Sequence, residues 1–177
     1  MIAKPQAGDF GLVAIKGFPG RAIWFGQGIN KNGWRDYQHA VLCVGDDEVV
    51  QAEPGGATIV PVSTYDGTNI VWSHWSDEIL TSAVRDSIAK HGRALEGVGY
   101  SALDYGAIAL HRFGINPPGL REFIANTGHM ICSELVDEGI TRGLVEASKT
   151  VKNVFNDGRW AGYVTPLALY PILGGPQ

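Results

Sequence analysis

The chain lacks the features that announce several large protein classes. No run approaches the ~18 consecutive apolar residues of a membrane span, so no transmembrane segment is expected. Its 14 basic residues against 18 acidic ones leave a net charge of −4, with no broad basic footprint for nucleic acid. Two cysteines, Cys43 and Cys132, are too few for a disulfide framework in a chain of 177 residues. Neither CxxC nor HExxH occurs, and His74, His91 and His111 are scattered without ligand spacing, so neither a metal nor a cofactor is expected. The glycine-rich stretches Gly26-Gln27-Gly28 and Pro54-Gly55-Gly56-Ala57 lack the lysine and the strand-to-helix context of a phosphate loop and read as turns. Met1 to Asp9 holds one lysine and no apolar h-region, so no secretory signal is read there. The expectation is a soluble protein, cytoplasmic or virion-associated unless exported by another route.

What is present is the composition of a globular domain, 45% hydrophobic and 18% charged, in a chain long enough to bury roughly two thirds of its surface. Phe10 to Ile15 is a β-prone run after the Gly8-Asp9 turn. Arg21 to Ile29 reads as a short irregular helix at best, before an Asn30 to Gly33 loop. Gln38 to Val44 and Val49 to Glu53 flank Gly45-Asp46-Asp47-Glu48 and form the clearest hairpin signal. Ala57 to Val62 and Asn69 to Trp75 are further β-prone runs, which predicts an antiparallel meander of about five or six strands.

Helices follow the strands. Ser76 caps a predicted helix with Asp77 and Glu78 in its first turn and Leu80, Val84 and Ile88 at helical spacing, ending near Gly92. Ala102 to Phe113 and Leu120 to Ala125 read as two more. A fourth starts at Ile131-Cys132, places Cys132, Leu135 and Val136 on one face, and has Gly143 as its stop. Strands followed by helices, with no internal repeat or linker, argue one α+β domain over residues 1–177.

Two side chains stand out chemically. A thiol reacts as the thiolate, and the amides and dipole at a helix start favour that charge, so Cys132 has the position of a nucleophile. The same amides suit the oxyanion of a tetrahedral intermediate. The competing reading is a buried cysteine packed on the sheet. His39 begins a strand, and period two puts it on one face with Val41 and Cys43, while Gln51 and Glu53 share a face of the next strand. If the two faces coincide, a polar side chain orients the imidazole, which is the logic of nucleophile, base and orienter. Strand parity admits Gln51 and Glu53 alike. His129, three residues before Cys132, reads as a solvent-exposed or capping group, and Cys43 as core. Trp24, Trp34, Trp72, Trp75 and Trp160 read mainly as core or core rim.

Tyr37-Gln38-His39-Ala40-Val41-Leu42-Cys43-Val44, its sequel Val49-Val50-Gln51-Ala52-Glu53-Pro54-Gly55-Gly56, and Met130-Ile131-Cys132-Ser133-Glu134-Leu135-Val136 together resemble the circularly permuted papain-like hydrolases. That group includes permuted NlpC-like cell-wall peptidases and lecithin:retinol acyltransferase-like enzymes. Gly8-Asp9, Gly99-Tyr100 and Val164-Thr165-Pro166-Leu167 resemble the family's opening turn, glycine-tyrosine element and closing segment, so the likeness spans about residues 8–169.

The resemblance implies a permuted papain-like fold and a cysteine peptidase or amidase in which His39 activates Cys132 and Gln51, rather than Glu53, holds His39. The family often has histidine or glutamate at that third position, and Gln51 departs from this by carrying no charge. The implied substrate is a peptide or acyl compound, first of all a bacterial or phage cell-wall peptide of peptidoglycan. Lipid acyl transfer or thioester cleavage is the alternative. A third reading is a non-catalytic module, for instance of a bacteriophage particle.

Overall fold

Strands buried on both faces read as continuous apolar runs, and His-Ala-Val-Leu-Cys-Val at residues 39–44 is such a run, without a solvent face to alternate toward. The computed structural model describes residues 4–14, 37–73, 75, 80–100 and 130–147. Five strands form one antiparallel sheet: β1 (Phe10–Ala14), β2 (His39–Gly45), β3 (Glu48–Glu53), β4 (Gly56–Pro61) and β5 (Asn69–Trp72). The spatial order is β4-β3-β2-β1-β5. The chain is thus α+β, with a meander through its first four strands. Its fifth strand departs from the expected meander by pairing with β1. The outer edge of β4 is already used there: Ala57 N–H donates to Val98 O at 2.7 Å, and Gly97 N–H to Ala57 O at 2.8 Å.

The β2 and β3 strands meet at Asp46-Asp47, both with positive φ, as the twist of a two-residue hairpin turn requires. An irregularity between Cys43 and Gly45 sets the register so that Val41 lies opposite Gln51 and Cys43 opposite Val49. His39, Val41, Cys43, Val49 and Gln51 therefore share one face. With Val13, Tyr65 and Trp72, the apolar members of that face form one buried cluster. On the other face Phe10, Leu12, Ala40, Leu42, Val44, Val50 and Ala52 meet the helices.

The described helices are α1 (Ser82–Arg93) and α2 (Cys132–Glu146). α1 starts later than the sequence suggested. Thr81 is its N-cap, with extended φ −63 and ψ 161, and Leu80 lies before the helix, buried. The cap signal at Ser76 to Glu78 falls outside the described residues, as do the two helices read at Ala102 to Phe113 and Leu120 to Ala125, the segment Arg21 to Ile29, and Val164 to Leu167. Before the helix, the Trp75 amide faces Asp9 Oδ1 at 3.5 Å and its carbonyl accepts from Arg85 at 2.6 Å. Arg85 also donates to Ala7 O at 2.9 Å and pairs with Asp9 at 3.3 Å, so the opening turn is tied to α1 by a buried ion pair.

Residues 132, 135, 136, 139, 140, 143 and 144 of α2 are all buried, which is the i, i+3, i+4 stripe of a helix laid on a core. Gly143 does not stop the helix, contrary to the sequence reading. A Cβ there would lie 2.5 Å from Ile88 Cα, and one at Gly139 would lie 2.5 Å from Leu42 Cδ2. These glycines are needed inside the helix, because they let α2 approach both α1 and the sheet. Among the described residues no helix is long and apolar enough to cross a membrane.

Gly143→Ala is expected to destabilise the fold by about 1–3 kcal/mol, the usual range for overpacking. Alanine's better helix propensity, worth up to ~1 kcal/mol, opposes that loss without cancelling a clash against backbone. A urea midpoint equal to or above that of the wild type would show that the helices separate freely.

Candidate active site

Cys132 is the first residue of α2, and the chain leading to it is anchored from two sides. Met130 N–H donates to Gly99 O at 2.9 Å, and Tyr100 pairs with Met130 in an isolated parallel bridge. Gly97 and Val98 in turn hold the edge of β4. The Gly99-Tyr100 element thus sets where α2 begins. Ile131, the N-cap, has no side-chain oxygen to offer, and its own N–H is taken by Glu134 Oε2 at 3.0 Å. That closes the helix start from below while the dipole points at Cys132.

His39 opens β2, between β1 and β3, with Val13 opposite it. Its imidazole hydrogen-bonds the Cys132 side chain. Its Nε2 lies 3.4 Å from Gln51 Oε1, longer than the usual N–H···O contact but in place for Nε2–H to donate. The same Oε1 accepts the Tyr65 hydroxyl. Cys132, His39 and Gln51 are 1%, 6% and 4% exposed, so their contacts lie out of water and are correspondingly strong.

Burial is the largest single influence on His39 and works against the protonated ring. It is outweighed by the charge and hydrogen bond of Cys132, then by the Gln51 hydrogen bond and the charge of Glu53, so the imidazole is held above its ordinary value of 6.5. The charged form of the His39 ring is therefore favoured more than in a free imidazole. With Nε2 committed to Gln51, Nδ1 is the nitrogen left to exchange a proton with sulfur.

The register answers the question that parity left open about contact. Gln51 is buried and touches His39, whereas Glu53 is exposed at the end of β3 and acts on His39 through its charge. Cys43 sits in the apolar cluster, where burial pushes its thiol up, a core position as read from sequence. His91 is far from this chemistry: it meets Glu146 at 2.6 Å, a contact that Lys90 and Ser87 share between α1 and α2. Trp72 is buried in the same cluster as Cys43, and Trp75 lies against the helix-side core, 6.4 Å from Phe10 between ring centres. His74, His111, His129, Trp24, Trp34 and Trp160 lie outside the described residues. Tyr65 was missed by the sequence reading. It sits on a 3-10 turn (Val62–Tyr65), which carries no periodic signal, and reaches Gln51 across fourteen residues of chain.

Compared with models of known protein families and with curated proteins, the chain matches none.

If the Cys132 charge is what overcomes burial, Cys132→Ala should lower the pH at which His39 titrates. NMR of the imidazole carbons reads this directly. An unchanged midpoint would mean that the ring is held up by Gln51 and Glu53 alone.

Proposed function

We propose that this protein is a cysteine amidase or peptidase acting through an acyl-enzyme, with Cys132 as nucleophile, His39 as base and Gln51 as the residue that orients His39. The observation that carries the proposal is the buried chain of contacts from Cys132 to His39 to Gln51, in which the imidazole is protonated more readily than usual despite its burial. A structural histidine in an apolar setting is ordinarily pushed the other way. The order histidine, polar residue, cysteine along the chain, with the cysteine opening a helix, supports a permuted papain-like arrangement.

In the proposed reaction His39 takes the Cys132 proton, and Sγ attacks the substrate carbonyl carbon. The imidazolium then gives its proton to the leaving amine as the C–N bond breaks, leaving a thioester on Cys132. Water attacks that thioester, His39 accepts the water proton, and the thiolate leaves with the acid released. The substrate class favoured by the resemblance is a cell-wall peptide, and acyl transfer to an acceptor other than water is the nearest alternative. Product masses from peptidoglycan fragments and from acyl thioesters separate the two.

A second reading is favoured by one specific observation, the 1% exposure of Cys132. A thiol so covered suits a non-catalytic module that keeps the geometry of a hydrolase. Alkylation by iodoacetamide distinguishes the readings: an enzyme's Cys132 reacts rapidly at neutral pH and is slowed by His39→Ala, whereas a module's reacts no faster than an ordinary thiol in either protein.

Cys132→Ser and His39→Ala should each remove nearly all turnover with the fold retained, and the double variant should be little worse than either, because nucleophile and base act as one unit. Gln51→Glu should raise the limb of the pH–rate profile that reports His39, since a carboxylate favours the imidazolium. Glu53→Gln should shift it less, in the opposite direction. A larger shift from Glu53→Gln would reassign the orienting role.

A further inference from the structure

A glutamine that orients a histidine has a weakness that a carboxylate lacks. Its amide presents either an acceptor oxygen or a donor NH2, and the two faces exchange by a simple rotation. Only the oxygen-forward state supports an imidazole that donates from Nε2. Something must choose that state in this protein, and the structure supplies a choice. The Tyr65 hydroxyl donates to Gln51 Oε1, the same atom that lies 3.4 Å from His39 Nε2. We propose that Tyr65 is a positioning residue of the site, whose hydroxyl fixes the Gln51 amide with its oxygen toward His39 and thereby holds His39 in the tautomer that leaves Nδ1 for Cys132. This rests on the catalytic reading above.

Three observations support it. Tyr65 is 9% exposed, and among the described residues Gln51 Oε1 is the acceptor its hydroxyl has, so rotating the amide would leave a buried O–H without one. Burial, followed by the negative charges of Glu53 and Cys132, holds the Tyr65 hydroxyl well above its ordinary value, so it remains a donor throughout any working pH range. The ring itself is fixed. Its turn is joined to the β2–β3 hairpin by Val62 N–H to Asp47 O at 2.7 Å, and the Tyr65 carbonyl accepts from both the amide and the hydroxyl of Thr68, at 3.0 and 2.6 Å. The Tyr65 and His39 rings lie 6.4 Å apart between centres, so tyrosine, amide and imidazole form one compact unit on a single face of the sheet. The groups that bear on His39 are then Cys132 from α2, Gln51 and Glu53 from β3, and Tyr65 through Gln51.

Tyr65→Phe removes the hydroxyl and keeps the ring in its apolar cluster. Iodoacetamide alkylation of Cys132 at neutral pH should slow about fivefold, the equivalent of one ordinary neutral hydrogen bond, and His39 should titrate at lower pH by NMR. The Gln51→Glu background provides the control that a packing role would fail. Both oxygens of a carboxylate are acceptors, so there is no amide to fix, and Tyr65→Phe should change alkylation there by less than twofold. An equal slowing in both backgrounds overturns the proposal in favour of packing. No slowing in Tyr65→Phe, with His39→Ala still slowing alkylation, overturns it while leaving the catalytic reading intact. A wild-type thiol that reacts at an ordinary rate, indifferent to His39→Ala, removes that reading and the proposal with it.

Discussion

A charged or partly charged pair can be held out of water only when its members satisfy one another, because desolvation otherwise drives each to its neutral form. The contact between Cys132 and His39 meets that condition, and the rest of the described structure fixes its two ends. His39 is set by its place at the start of β2, between β1 and β3. Cys132 is set by the junction of Gly99 with Met130 and by the close seating of α2 on Ile88 and Leu42. Small displacements at either end would trade a paired site for two unpaired groups, which is why bulk at Gly139 or Gly143 matters at a distance from the sulfur.

The pair lies between two apolar clusters, with Cys132 in the helix-side one. Val13, Val41, Cys43, Val49 and Trp72 provide a low-dielectric surround on the His39 face, in which hydrogen bonds gain strength. Gln51 adds a dipole without a charge. Burial is the largest influence on His39 and opposes its protonation, and Cys132 contributes most of what overcomes it, followed by Gln51 and the charge of Glu53. A site built with a neutral orienter is more sensitive to the state of its nucleophile than one in which a carboxylate shares the imidazole.

Much of this was legible in the residues. The β2–β3 hairpin followed from two apolar runs around Gly45-Asp46-Asp47-Glu48, and the burial stripe of α2 from the spacing of Cys132, Leu135 and Val136. Parity put Gln51 and Glu53 on one face but could not rank them, because rank depends on how far along the strand the imidazole reaches. The register, with Val41 opposite Gln51, supplies that information. Gly143 was read as a stop because glycine commonly ends helices, yet here close packing makes the same demand for a missing side chain. The start of α1 was misplaced because Ser76 offers the stronger cap signature in the sequence, whereas the helix begins after Thr81, which is extended and makes no side-chain capping bond. Tyr65 left no trace in any periodic pattern, since its contact joins a short turn to the middle of a strand.

If Cys132 and His39 share their proton as a thiolate and an imidazolium, the ultraviolet absorbance of a thiolate should already be present at neutral pH. It should vanish in Cys132→Ser, which leaves only the buried Cys43 thiol, and should diminish in His39→Ala. A wild-type signal that first appears in the ordinary cysteine range near pH ~8.5, and is the same in His39→Ala, would contradict the pairing on which the proposed chemistry depends.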